Sequence, residues 1–130
     1  MKTSELRTGN LLHYDEKIIY VSSILKNENI GMYNGYGFDK TTSIQCVNPI
    51  PITKEWLLKL GVEKNEINNY TKFGFLSRLK PYLEYNDHND YDLFVCCEIL
   101  STVKFVHQLQ NLYYALTGEE LTLSDSSTSK

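Results

Sequence analysis

The sequence predicts an α+β fold: a mainly antiparallel sheet, a short central helix, and a longer C-terminal helix packed on the sheet. Segments rich in β-branched and aromatic residues alternate with polar turns, which is typical of antiparallel strands. A short helical pattern stands in the middle of the chain, and a longer amphipathic one near its end. Because 130 residues suffice for one core, we expect a single domain over residues 1–123.

The N-terminal part predicts a β-hairpin. Residues 9–14 and Lys17–Leu25 favour strands, and the polar pair Asp15-Glu16 separates them. Many small SH3-like barrels begin in this way. Residues 26–40 contain several glycines and asparagines, so this segment is predicted to be a loop.

The central part predicts a strand followed by a short helix. A strand over residues 42–47 is expected to end before Pro49 and Pro51, because proline cannot donate a ladder hydrogen bond. Thr53 suits an N-cap and Gly61 a helix end. The apolar residues between them predict the buried side of this helix: Trp56, Leu57 and Leu60.

The second half predicts three more strands, over residues 72–76, 82–85 and 91–100. The polar loop 86–90 is expected to join the last two strands as a hairpin. Residues 91–100 are mostly apolar at alternate and intervening positions, which favours a central strand buried on both faces.

The C-terminal helix has one predicted apolar stripe and one polar side. Leucine and phenylalanine recur at i, i+4, i+7 and i+11, which predicts a buried stripe of Phe105, Leu109, Leu112 and Leu116 with Val106 and Tyr113 beside it. His107, Gln108 and Gln110 are then expected on the exposed side. Gly118 is the predicted end of the helix, and residues 124–130 are too polar to pack, so we expect a disordered tail.

The composition limits the classes of partner. The formal net charge is −3 and no Lys/Arg cluster is present, which argues against nucleic acid and against acidic membranes. The N-terminus has no apolar signal segment, and no apolar run reaches the ~20 residues of a membrane span. We therefore expect a cytoplasmic protein with reduced thiols, and we expect the three cysteines to be buried structural residues: Cys46, Cys96 and Cys97.

Catalytic and cofactor motifs are not recognised in the sequence. The glycines of the 31–37 segment lack the spacing of a phosphate loop, and no helix pattern follows them. The strongest metal candidate is the loop containing Asp87, His88 and Asp90, which concentrates oxygen and imidazole ligands. A plain Asn/Asp-rich hairpin turn explains the same residues, so we predict no catalytic residue, no metal and no cofactor.

Three blocks of the chain carry a family resemblance. They are ELRTGN at residues 5–10, ITKEWLLKLG at 52–61 and VHQLQNLYYALTGEEL at 106–121. Together they resemble a family of small proteins encoded by phages, prophages and mobile elements of Bacteroidetes. No reaction or catalytic residue is assigned to that family, so the resemblance implies a genomic setting and accessory roles such as counter-defence.

The leading functional interpretation is a non-enzymatic accessory protein in the host cytoplasm that binds a host protein or a defence component. The expected contact residues are Tyr33, Tyr36 and Phe38 in the glycine-rich segment, with Gln108 and Gln110 on the C-terminal helix. The alternative is a protein that sequesters a nucleotide-like signal among the same aromatics. A metal-dependent hydrolase using Asp87, His88 and Asp90 is the third interpretation. Homo-oligomerisation is left open.

Overall fold

The computed structural model describes residues 1–34, 39–67, 70–75, 81–86, 90–95 and 98–123. Within these residues, nine strands form two antiparallel sheets and accompany two α-helices, so the predicted α+β fold is confirmed. The chain divides into two compact units. The first contains Met1–Pro51 and Phe105–Leu112, and the second contains Ile52–Lys104 and the chain from Tyr113 onward. A single domain over residues 1–123 stays a prediction.

The sheet of the first unit is a four-stranded meander. Its strands, in spatial and sequence order, are β1 (Leu11–Tyr14), β2 (Lys17–Leu25), β3 (Asn29–Tyr33) and β4 (Asp39–Ser43). Asp15 and Glu16 join β1 to β2 with φ values of 48° and 66°, so the predicted hairpin is confirmed. Two consecutive residues with positive φ suit the right-handed twist of a hairpin.

The loop predicted over residues 26–40 is wrong, because β3 and the start of β4 lie there. Asn27 and Glu28 make a second two-residue turn with φ values of 60° and 56°. This turn returns the chain directly onto β2, and Ile30 and Met32 of β3 are fully buried. The polar and glycine-rich sequence concealed these two apolar anchors of a strand.

After β4 the chain returns to the edge of β1. A 3₁₀ helix over Ile44–Cys46 replaces the end of the strand predicted at 42–47, and the Ser43 hydroxyl caps it by accepting from the Gln45 amide at 3.2 Å. Asn48 then exchanges two backbone hydrogen bonds of 2.9 Å with His13 on β1. The comparison with small SH3-like barrels stays a prediction. The core of the first unit contains Leu6, Leu12, Ile19, Val21, Ile30, Met32, Ile44 and Val47.

The second unit contains helix α1 and a five-stranded meander. Its elements are α1 (Lys54–Lys59), β5 (Glu63–Ile67), β6 (Tyr70–Gly74), β7 (Tyr82–Tyr85), β8 (Tyr91–Val95) and β9 (Glu98–Val103). The Thr53 hydroxyl accepts from the Trp56 amide at 3.2 Å, and Gly61 has φ 81°, so both predicted ends of α1 are confirmed. The side chains on one face of this sheet are buried: Phe73, Phe75, Leu83, Tyr91, Leu93 and Val103.

The single central strand predicted over residues 91–100 is wrong. The segment contains two antiparallel strands, β8 and β9, in which Val95 pairs with Glu98, and β9 lies at the edge of the sheet. A continuous apolar run does not reveal where a chain reverses, so one long strand and a hairpin give similar patterns.

Helix α2 spans Val106–Thr117. It ends at Gly118, as predicted. The φ angle of Gly118 is 76°, and its amide donates to the Tyr114 carbonyl at 2.8 Å. Of the predicted apolar stripe, Val106, Leu109 and Tyr113 are buried, so these positions are confirmed. The predicted burial of Phe105, Leu112 and Leu116 is wrong, because these residues are only partly buried. His107 and Gln110 are buried as well. No described helix is long and apolar enough to cross a membrane.

Candidate functional site

The residues predicted to bind a partner lie on different elements where the structure describes them, and their role stays a prediction. Tyr33 ends β3 and is 46% exposed, and Gln108 is exposed on α2. Tyr36 and Phe38 lie outside the described residues, as do Asp87, His88, Cys96 and Cys97. Of the metal candidates only Asp90 is described, and the described residues contain no group of three or more metal-ligating side chains. Cys46 is exposed, so its predicted burial is wrong.

Gln110 is fully buried, so its assignment to an exposed recognition surface is wrong. Its Oε1 accepts from the Leu11 amide at 2.8 Å, and its Nε2 donates to the Gly9 carbonyl at 3.1 Å. The side-chain amide thereby satisfies two backbone groups at the outer edge of β1, as a neighbouring strand would. Gln110 therefore serves the fold of the first unit.

A polar network extends from Gln110 to the N-terminal segment. Asn10 is fully buried and donates through Nδ2 to Asn111 Oδ1 at 2.7 Å, while its own Oδ1 accepts from the Arg7 amide at 2.7 Å. Asn111 Nδ2 donates to the Glu5 carbonyl at 3.0 Å. Since most of these groups pair with one another, we interpret the network as the attachment of α2 within the first unit.

His107 is also buried, with 2% of its surface exposed, so its expected position on the exposed side of α2 is wrong. Neither ring nitrogen has a hydrogen-bond partner among the described residues. The ring lies nearly parallel to that of Phe105, with 6.0 Å between the ring centroids. Burial lowers the pKa of His107 below its usual value, and the Glu5 carboxylate opposes this only in part.

A pH-dependent stability follows from this lowered pKa. Near pH 6.5 and below, the unfolded chain takes up a proton on His107 that the folded protein does not bind. The free energy of unfolding should therefore fall between pH 7.5 and pH 5.5, as measured by denaturant titration. His107→Leu should reduce this fall. An unchanged pH dependence in His107→Leu would show that other groups cause it.

The sheet of the second unit carries a row of apolar side chains on the face opposite its buried one. Tyr82, Phe94 and Ile99 are register partners on β7, β8 and β9, and we call these three residues the apolar row. The rings of Tyr82 and Phe94 stack with 5.1 Å between their centroids and 2° between their planes. Ile99, which pairs with Phe94 across the two strands, is 60% exposed.

A bulge places Ile99 in the apolar row. The pairing of β8 with β9 shifts between Leu93, which faces Ser101, and Phe94, which faces Ile99, so Leu100 is the additional residue. Leu83, Tyr91 and Leu93 point to the buried face, and their strand neighbours Tyr82 and Phe94 therefore point to the other face. The sequence signal for this surface is the apolar run within residues 91–100, which by itself predicts burial on both faces.

A second row runs beside the apolar row on the same face. Glu84, Asp92 and Thr102 are register partners, and we call these three residues the polar row. Asp92 Oδ1 accepts from Thr102 Oγ1 at 2.7 Å and from Asn86 Nδ2 at 3.0 Å. These neutral donors fix the position of the carboxylate and do not cancel its charge. The two rows together place the partly exposed Tyr82 and Phe94 and the exposed Ile99 beside a fixed carboxylate.

No family model, no curated protein and no solved structure matches this chain. The resemblance to phage-encoded proteins of Bacteroidetes therefore stays a prediction. The assignment of a site consequently depends on the geometry of the described residues, in which the apolar row is the candidate functional site.

Proposed function

We propose that this chain is a non-enzymatic, phage-associated accessory protein that binds a host protein or a defence component through the apolar row. The observation that carries this proposal is the alignment of Tyr82, Phe94 and Ile99 across three neighbouring strands, with Ile99 60% exposed at the end. Aromatic and large aliphatic side chains grouped on a surface are typical of protein–protein contacts. The phage association comes from the three sequence blocks alone.

The shape of the surface supports a macromolecular partner over a small ligand. Three adjacent strands present their side chains over a width of about 10 Å, since neighbouring strands lie about 4.8 Å apart. Small-molecule sites are concave and surround most of the ligand. The outer side of a sheet is instead suited to a partner that covers several side chains at once.

The contact is tested by a charge placed in the apolar row. Ile99→Lys should abolish the recovery of a host protein when the tagged chain is isolated from its host, because a lysine ammonium would be desolvated in the contact. Leu58→Lys is the matched control, since Leu58 lies on α1 and is 55% exposed. Both variants should keep the parent's denaturation midpoint, as their side chains are largely in water.

Equal recovery of the host protein by Ile99→Lys and by the parent would refute the apolar row as the contact surface. Tyr33→Ala then tests the surface that the sequence predicted. Tyr33 is paired with Tyr20 in the sheet of the first unit, so its loss would report on a contact separate from the apolar row.

A further inference from the structure

We infer that the partner segment bound by the apolar row is an amphipathic helix that carries lysine or arginine beside its apolar stripe. This inference depends on the proposed function and adds the chemistry of the partner. Its basis is the juxtaposition of the apolar row with the fixed carboxylate of Asp92 on one sheet face.

The charge of the polar row selects a basic partner. Asp92 precedes Phe94 by two residues on β8, so the two positions lie about 7 Å apart on the same face. The polar row contains two carboxylates, those of Glu84 and Asp92, and Asp92, which lies on the same strand as Phe94, is the one assigned to the partner's cation. The Thr102 and Asn86 hydrogen bonds hold this carboxylate in place, so binding costs little ordering of its side chain.

The spacing of the apolar row suits a helix. Tyr82, Phe94 and Ile99 stand on successive strands at intervals of about 5 Å. Residues three or four apart on a helix have Cβ atoms 5–6 Å apart, roughly the same interval. A helix lying across the strands therefore places successive apolar side chains beside successive members of the row, as in other helix-binding surfaces.

Two other occupants fit the described residues less well. An added strand would have to pair with β9, but the bulge at Leu100 interrupts the regular ladder of that edge. A second copy of the chain facing the same surface would bring the Asp92 carboxylates of both copies toward one surface, and each chain has a net charge of −3. A basic helix meets neither obstacle.

The test uses two designed 15-residue peptides with leucine at i, i+4, i+7 and i+11. One carries lysine and the other glutamate at the remaining positions. Fluorescence anisotropy with the full chain should show binding of the Leu/Lys peptide only. Ile99→Ser should raise its Kd about tenfold. Asp92→Asn, which keeps the oxygen that accepts from Thr102 and Asn86, should raise the Kd about three- to fivefold at low salt.

Glu119→Gln is the control for net charge, because Glu119 is exposed and its loss changes the charge by the same amount as Asp92→Asn. It should leave the Kd unchanged. Equal binding of both peptides, or equal weakening by Glu119→Gln and Asp92→Asn, would overturn the inference. A homodimer in native mass spectrometry that Ile99→Lys dissociates would also overturn it, in favour of a second copy.

Failure of the inference is distinguishable from failure of the proposed function. If the Leu/Lys peptide does not bind but Ile99→Lys still abolishes recovery of the host protein, the basic helix is refuted and the apolar row remains the contact. If Ile99→Lys recovers the host protein as the parent does, the proposed function is refuted, and the inference is overturned with it.

Discussion

Gln110→Ala is expected to lower the free energy of unfolding by about 2–4 kcal/mol, an unusually large loss for a glutamine in an amphipathic helix. The substitution leaves the Leu11 amide and the Gly9 carbonyl without the partners they have in the folded protein. Buried backbone groups that lose their partners cost about 1–3 kcal/mol each. Denaturant titration measures the loss. Hydrogen exchange should also show a specific loss of protection at the Leu11 amide.

Gln45→Ala is the matched control for Gln110→Ala. Gln45 is exposed in the 3₁₀ helix of the same unit, and only its backbone amide makes a described hydrogen bond. Its replacement should change the free energy of unfolding by less than about 0.5 kcal/mol. Losses of similar size in the two variants would show that the Gln110 amide does not secure the edge of β1.

Leu109→Ala is expected to cost about 2–5 kcal/mol, whereas Leu112→Ala should cost roughly half as much or less. Leu109 is fully buried, while Leu112, only three residues later on α2, is partly exposed. A buried leucine loses its transfer free energy and leaves a cavity, but a partly exposed one leaves space that water fills. Paired denaturant titrations compare the two variants.

This pair distinguishes the observed helix face from the one predicted by the leucine spacing. The predicted stripe places Leu109 and Leu112 together in the core, which requires equal losses. A loss at Leu112 as large as that at Leu109 would therefore contradict the described packing of α2. The far-UV circular dichroism of both variants should match the parent, since alanine is an excellent helix former.

Local signals in the sequence were sufficient to predict the ends of several elements and the first hairpin. Thr53 and Gly61 gave the ends of α1, and Gly118 gave the end of α2, because caps and left-handed glycines act through nearest neighbours. The pair Asp15-Glu16 marked the first hairpin for the same reason. The prediction of β3 failed because its identity depends on the apolar partners it meets on β2 across the turn at Asn27-Glu28.

The candidate site depended more strongly on register. Tyr82, Phe94 and Ile99 are separated by up to 17 positions in sequence, and only strand pairing with a bulge aligns them. A bulge reverses the face of every later residue on its strand, and no local pattern in residues 91–100 located it. The apolar character of the segment was predicted correctly, but the face that it presents was not.

The sequence by itself determined the α+β class, both ends of α1, the C-terminal end of α2 and the first hairpin, because these depend on turn chemistry and on short-range periodicity. The tertiary structure alone decided which side of α2 is buried and which residues of β7, β8 and β9 form one surface. The physical reason is that a buried polar group is favourable only when distant backbone partners satisfy it. Gln110 has those partners in Gly9 and Leu11, about a hundred residues away, so a polar side chain lies where the leucine spacing predicted solvent.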